Sequence, residues 1–213
     1  LYREALVLAP ERPSILNNLA TVLQYQGRYA EALKCCERLL VISPEDPGAR
    51  NNFGNVLAAL GRHDEALLQF EHALRINPDF LDALASRGWM LAELGRHAEA
   101  LNDTRRAAAL APDRADFQSR LGNVLVQAQQ PDAAICACDR ALAIDHQCAD
   151  AYQNRGNARL LLGRYTDALL DFASAQALLP DHPYPRWNEA LCRLLLGDFE
   201  RGWTNFSRGW EIG

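Results

Sequence analysis

The residues best equipped for chemistry are Cys136, Cys138, His146 and Cys148, three thiols and an imidazole on one short stretch. Thiolate and imidazole are the ligands that zinc selects. Their spacing works against a shared ion wherever the stretch is helical. Residues two apart on a helix are rotated by about 200°, so the sulfurs of Cys136 and Cys138 diverge. The remaining histidines, among them His63, His72 and His97, are scattered. No glycine-rich phosphate loop, His-Glu-x-x-His string or Ser/His/Asp order occurs, so no route to nucleophilic, metal or phosphoryl chemistry is visible. The chain therefore reads as a non-enzyme with no catalytic residues, no metal site and no cofactor.

Composition narrows the field further. Of 213 residues, 49% are hydrophobic and 23% charged, an ordinary globular balance. The net charge of −5 argues against nucleic acid, whose recognition needs a basic stripe that displaces counterions. No apolar run approaches the ~20 residues of a membrane span, so no membrane partner is expected. The opening Leu1-Tyr2-Arg3-Glu4-Ala5 lacks the basic start and apolar core of a signal peptide. The six cysteines, at 35, 36, 136, 138, 148 and 192, have no framework spacing. Reduced thiols in a cytoplasmic protein fit that irregularity.

The elements that carry these residues follow from a repeat. Pro10, Pro44, Pro78 and Pro112 are each 34 residues apart, and further steps reach His146 and Pro180. The register divides the chain into blocks 13–46, 47–80, 81–114, 115–148, 149–182 and 183–213, after a stub 1–12 that closes an earlier block. In the stub, Tyr2, Ala5, Leu6, Leu8 and Pro10 fall where later blocks carry an aromatic, alanine, leucine, an aliphatic and proline. Both ends of the chain thus read as cut from a longer protein.

The columns have mechanical meanings. The eighth place holds Ala20, Gly54, Gly88, Gly122, Gly156 and Ala190, and the twentieth holds Ala32, Ala66, Ala100, Ala134, Ala168 and Gly202. Small residues there let two helices approach closely. The fifteenth place holds Gly27, Gly61, Gly95, Gln129, Gly163 and Gly197. Glycine ends a helix cheaply in the left-handed conformation, and the proline column stops the second helix. Apolar residues fall at helical spacing, as in Phe53, Val56, Leu57 and Leu60. Each block predicts a helical hairpin that buries its face only by stacking. The fourth block departs: Gln129 replaces the glycine, Pro131 follows it and His146 replaces the proline, which predicts a looser turn.

These columns, with Ala151-Tyr152-Gln153-Asn154-Arg155-Gly156-Asn157, Gly163-Arg164-Tyr165, Asp167-Ala168-Leu169 and Pro180, resemble the tetratricopeptide repeat family across essentially the whole chain. The Asn-x-Gly-Asn pattern is similar to repeats of O-linked N-acetylglucosamine transferases and of bacterial proteins of this family. The resemblance implies an all-α, right-handed α-solenoid of stacked helix pairs forming a single domain, 1–213. It implies that the first helix of each pair lines a concave groove that holds an extended peptide segment of a protein partner.

The groove columns then name the candidate residues. The sixth place contributes Asn18, Asn52, Arg120, Asn154 and Asn188; the ninth contributes Asn55, Trp89, Asn123 and Asn157; Trp187 comes from the fifth. Asparagine is a poor helix former. Residues three apart share a face, and each amide both donates and accepts. Such a row either clamps the backbone of a peptide or braces neighbouring helices, and both roles are open at different positions. Trp89, Trp187 and Tyr25 are candidate anchors. Asp82, Asp116 and Asp150 favour a neutral or basic segment. A lysine clamp for a terminal carboxylate is absent from these columns. Arg87 and Arg155 recur in one column and read as structural, their guanidinium groups bonded to an adjacent hairpin. The last block carries Tyr184, Trp187, Phe199, Trp203, Phe206 and Trp210, bulky for a terminal face. Two rival functions follow from it: the recruiting arm of a larger glycosyltransferase-like enzyme, and self-assembly into a homodimer.

Overall fold

The structure, a computed structural model, describes residues 12–180 and 183–210; the stub residues Tyr2, Ala5, Leu6, Leu8 and Pro10 lie outside them. Twelve helices and no strand occur among the described residues. They are α1 (Pro13–Tyr25), α2 (Tyr29–Ile42), α3 (Pro47–Ala59), α4 (His63–Ile76), α5 (Leu81–Glu93), α6 (His97–Leu110), α7 (Ala115–Gln127), α8 (Pro131–Ile144), α9 (Ala149–Leu161), α10 (Tyr165–Leu178), α11 (Pro183–Leu195) and α12 (Phe199–Trp210). None is long and apolar enough to cross a membrane.

The first helices end as the glycine column dictates. Gly27, Gly61, Gly95, Gly163 and Gly197 all have φ between 70° and 84°. At Gly61 the backbone closes with Gly61 N–H on Ala58 O (3.0 Å) and Arg62 N–H on Leu57 O (2.9 Å), which satisfies carbonyls that the helix end orphans. The expectation of a looser fourth turn is corrected. Gln129 takes φ 56°, and its turn keeps the same bonds, Gln129 N–H on Val126 O (3.0 Å) and Gln130 N–H on Leu125 O (2.9 Å). The hydrogen bonds outweigh the roughly 1–2 kcal/mol that a side chain costs there. Pro131 is not part of the turn but the first residue of α8, where its missing N–H is no loss. Helix α8 stops at Ile144 although His146 stands in the proline column, so proline is sufficient but not necessary for that stop.

Contacts group the chain into two compact units, Leu1–Arg96 and His97–Gly213, divided between the two helices of the 81–114 block. In the first, each helix packs on the next from α1 to α5, and α1 touches α3 while α3 touches α5. In the second, the same pattern runs from α6 to α12, with α7 on α9 and α9 on α11. In both, the helices that open each hairpin touch across repeats and the closing helices do not. The opening helices therefore form the inner row of each unit.

Close approach within a hairpin rests on paired sizes. A Cβ on Gly54 would lie 2.5 Å from the Phe70 ring, and one on Gly156 2.6 Å from that of Phe172. In the fourth block Gly122 faces Cys138 Sγ at 2.5 Å on the same measure. In the first, Ala20 packs in one cluster with Cys36. Rings stand behind glycine at Gly54 and Gly156, while a thiol stands behind glycine at Gly122 and beside the methyl of Ala20.

Candidate functional site

In the first unit, four candidates stand on the inner row. Asn18 on α1 is exposed and Asn55 on α3 is half-buried; neither amide has a hydrogen-bond partner among the described residues. Asn52 behaves differently: its Nδ2 donates to Asn17 Oδ1 at 2.6 Å, and its backbone carbonyl accepts from Gln24 Nε2 at 3.1 Å. It braces α3 on α1. Beneath it Asn51 is buried, with Oδ1 left unpartnered, an exception in an interior where such atoms are normally bonded. Trp89 on α5 is 50% exposed and Tyr25, at the end of α1, is 89% exposed.

In the second unit the amides are bonded to one another. Asn154 is 6% exposed. Its Nδ2 donates to Ser119 O (3.1 Å) and Ser119 Oγ (3.2 Å), and its Oδ1 accepts from Asn123 Nδ2 (3.2 Å). Asn123 Oδ1 in turn accepts from Gln127 Nε2 at 3.1 Å. Asn154 thus has little left to offer a ligand. Further along, Asn188 Nδ2 donates to Asn157 Oδ1 at 2.8 Å, which leaves Asn157 Nδ2 unpartnered. Arg120 is exposed. Its charge is a minor contributor to the lowered carboxyl pKa of Asp116, which is set first by the hydrogen bond from Arg114.

The last hairpin presents its aromatics. Ala190 carries the methyl that Gly54 and Gly156 lack, and Phe206, in the column of Phe70 and Phe172, lies against Trp187 with centroids 4.4 Å apart. Trp203 meets Phe206 edge-on at 5.6 Å. Trp187, Phe199 and Trp203 remain exposed.

Sequence reasoning found Arg155 but not its counter-ion. Arg155 binds Asp171 through Nε and Nη2 (3.1 and 2.7 Å) and Asp139 through Nη1 (2.6 Å), while Arg159 Nη1 reaches Asp171 Oδ2 at 2.7 Å. Burial alone would lower the guanidinium pKa; the bonds from Asp171 and Asp139 outweigh it and raise it. Asp171 is 2% exposed, so its bonds tie α9 to α10 within one hairpin, and the Asp139 bond alone reaches the preceding hairpin. An acid on a closing helix reads as a solvated charge, and only the recurring arginine hinted at it.

The thiols are core. Cys138 and Cys36 are fully buried, and burial pushes both up to about 12, so neither is an available nucleophile or ligand. Cys136 is exposed and points away from Cys138. All six cysteines are free, and no group of three or more His, Cys, Asp or Glu is placed to hold a metal among the described residues.

Stacked helical hairpins with a patterned inner row define a helical repeat protein. Profiles of the tetratricopeptide repeat match residues 11–79 and, for a second profile, 51–115, 95–147 and 119–183. The chain belongs to the tetratricopeptide repeat family. Among solved structures it is similar to YrrB, a TPR protein with an unusual peptide-binding site (24% identity, 86% of this chain, 95% of that one, TM-score 0.62). It is also similar to a tetratricopeptide repeat protein from Parabacteroides merdae (18%, 100% and 84%, TM-score 0.79). A third likeness is to the APC/C hetero-tetramer Cut9-Hcn1 (18%, TM-score 0.89), of which it spans 42% of the matched chain. The comparison with curated proteins gave no significant match.

Proposed function

We propose that this protein is a protein-interaction scaffold that binds an extended peptide segment along the inner row of helices, with no catalysis of its own. The observation that carries the reading is the pair of unspent amides, Asn18 and Asn55, on the same inner row as the half-exposed Trp89. The fold does not use their donors and acceptors, and a peptide backbone requires both. The half-exposed Trp89 on the same row offers an apolar anchor for such a segment. YrrB, with the same fold, is named for a peptide-binding site. A cytoplasmic setting fits the six free thiols.

The test starts from a phage-displayed library of random peptides selected on the immobilised protein. Peptides so selected should lose about tenfold or more in affinity against the Asn18→Ala/Asn55→Ala variant. They should bind Asn154→Ala, whose amide braces the fold, within a few-fold of the parent. Unchanged binding to the double variant would remove the groove reading.

A second reading has its own support. The Trp187-Asn188-x-Ala190-Leu191 segment resembles the final repeat before a glycosyltransferase-like domain, and its aromatics stay exposed. Under it, the same scaffold is the recruiting arm of a larger enzyme. Self-association through that end is the third; sedimentation across a range of concentrations separates it from the other two.

A further inference from the structure

A cavity of about 560 Å3 opens within the second unit, where the start of α6 meets the turn between α7 and α8. That volume is in the range of small-ligand pockets. Leu101 and two alanines give it apolar wall, and His97, Arg105, Gln127, Gln129 and Gln130 give it polar groups. No acid lines it.

What sets it apart is that the repeat breaks its own pattern here. The sixteenth place of the blocks reads Arg28, Arg62, Arg96, Gln130, Arg164 and Asp198, and the twenty-fifth reads Glu37, Glu71, Arg105, Asp139, Ala173 and Ser207. In the first unit the charge of Glu37 is a minor contributor to the raised pKa of Arg62, which is set chiefly by the hydrogen bond from Arg62 to Glu65. At the cavity an arginine stands in the place of that acid. Arg105 Nη2 meets Gln130 Oε1 at a long 3.5 Å, and Arg105 has no carboxylate partner among the described residues. The third departure, Gln129, puts a side chain on a left-handed residue where the other turns carry glycine, and it too lines the cavity. Three substitutions that each depart from their column converge on one space.

We propose that this cavity binds a carboxylate carried on a small apolar stem. The guanidinium of Arg105 supplies the charge and a forked pair of donors. The Gln129 amide and the Nε2 of Gln130 complete the donor set, and Leu101 with the alanines takes the stem. A free organic acid and the last residue of a peptide share this chemistry. The site is separate from Asn18 and Asn55 and does not rest on the groove reading.

Two probes distinguish the sources. N-acetyl-leucine is titrated by NMR, and a fluorescein-labelled peptide ending in Ala-Ala-Leu is titrated by anisotropy, each beside its C-terminal carboxamide. The expected result is binding of at least one acid, with the carboxamide weaker by about tenfold or more. Binding of N-acetyl-leucine alone assigns a free metabolite-like acid, and binding of the peptide assigns a chain terminus. Arg105→Gln should weaken the acid by a similar factor. Arg105→Glu/Gln130→Arg restores the residues that these columns carry in the first two blocks, so it should fold normally, as read by circular dichroism, and lose the acid. Equal affinity for acid and carboxamide, no binding of either acid, or full binding by the folded double variant would each overturn the proposal. Asn18→Ala/Asn55→Ala should leave this binding unchanged.

Discussion

The two units take the same columns and use them differently. In the first, the turns are glycine, and although Asn52 is bonded to Asn17, the ninth- and sixth-column amides Asn55 and Asn18 are left open. In the second, Asn123, Asn154 and Ser119 form a bonded chain across α7 and α9, Asn157 is held by Asn188, and a glutamine occupies a left-handed turn. A polar residue on an inner row is therefore not a binding residue by position alone. Whether it can receive a partner depends on whether its neighbour one repeat away has already taken its donors.

That contrast can be broken from its most strongly tied point. Asp171→Ala removes the common anchor of Arg155 and Arg159, whose side chains are 18% and 22% exposed. Stranding a charge after a buried pair is broken costs 3–5 kcal/mol in full burial; partial exposure places this case near ~3 kcal/mol, seen as a lower midpoint in urea unfolding. Asn154→Ala leaves the Ser119 hydroxyl and the Asn123 amide short of partners, and about 1–3 kcal/mol should be lost. A loss below ~0.5 kcal/mol would show that the bonded amides are not bracing. Gln129→Gly should stabilise by about 1 kcal/mol, since it removes a side chain from the left-handed region; no gain would mean that the Gln129 side chain makes compensating contacts. Smallest of all, Asn18→Ala and Asn55→Ala should shift stability by no more than about 0.5 kcal/mol each. A larger loss from either would mean that these two amides, like Asn52, help to hold the first unit together, and the contrast would vanish.

Most of the fold was legible in the sequence because proline, glycine and alanine report backbone constraints that act locally. The 34-residue step located every described hairpin, and Gly61 or Gly163 reported a left-handed turn without knowledge of anything distant. The site was legible only in part. The candidate residues fall on the opening helices, but their division into free and bonded amides depends on contacts between residues 31 to 35 apart, as in Asn123 with Asn154 and Asn154 with Ser119. Those depend on how far one helix is displaced against the next, which no column records. Asp171 was missed for the same reason, and the turn at Gln129 was misjudged because backbone hydrogen bonds, invisible in residue type, hold it.

The matched sizes at the hairpin seam bear on how such a chain can change over time. Phe172 fits only behind a residue with no side chain, and Cys36 sits behind one with a methyl. Recombination that joined the closing helix of 149–182 to the opening helix of 13–46 would drive a benzyl group into Ala20, whereas the reverse exchange would set a thiol behind a glycine, the pairing that Gly122 and Cys138 already make. Duplication or deletion that respects the glycine turns of neighbouring blocks carries both halves together and meets no such fault. The heritable piece of this molecule is the whole hairpin, and lineages that gain or lose contact surface should do so in steps of one repeat.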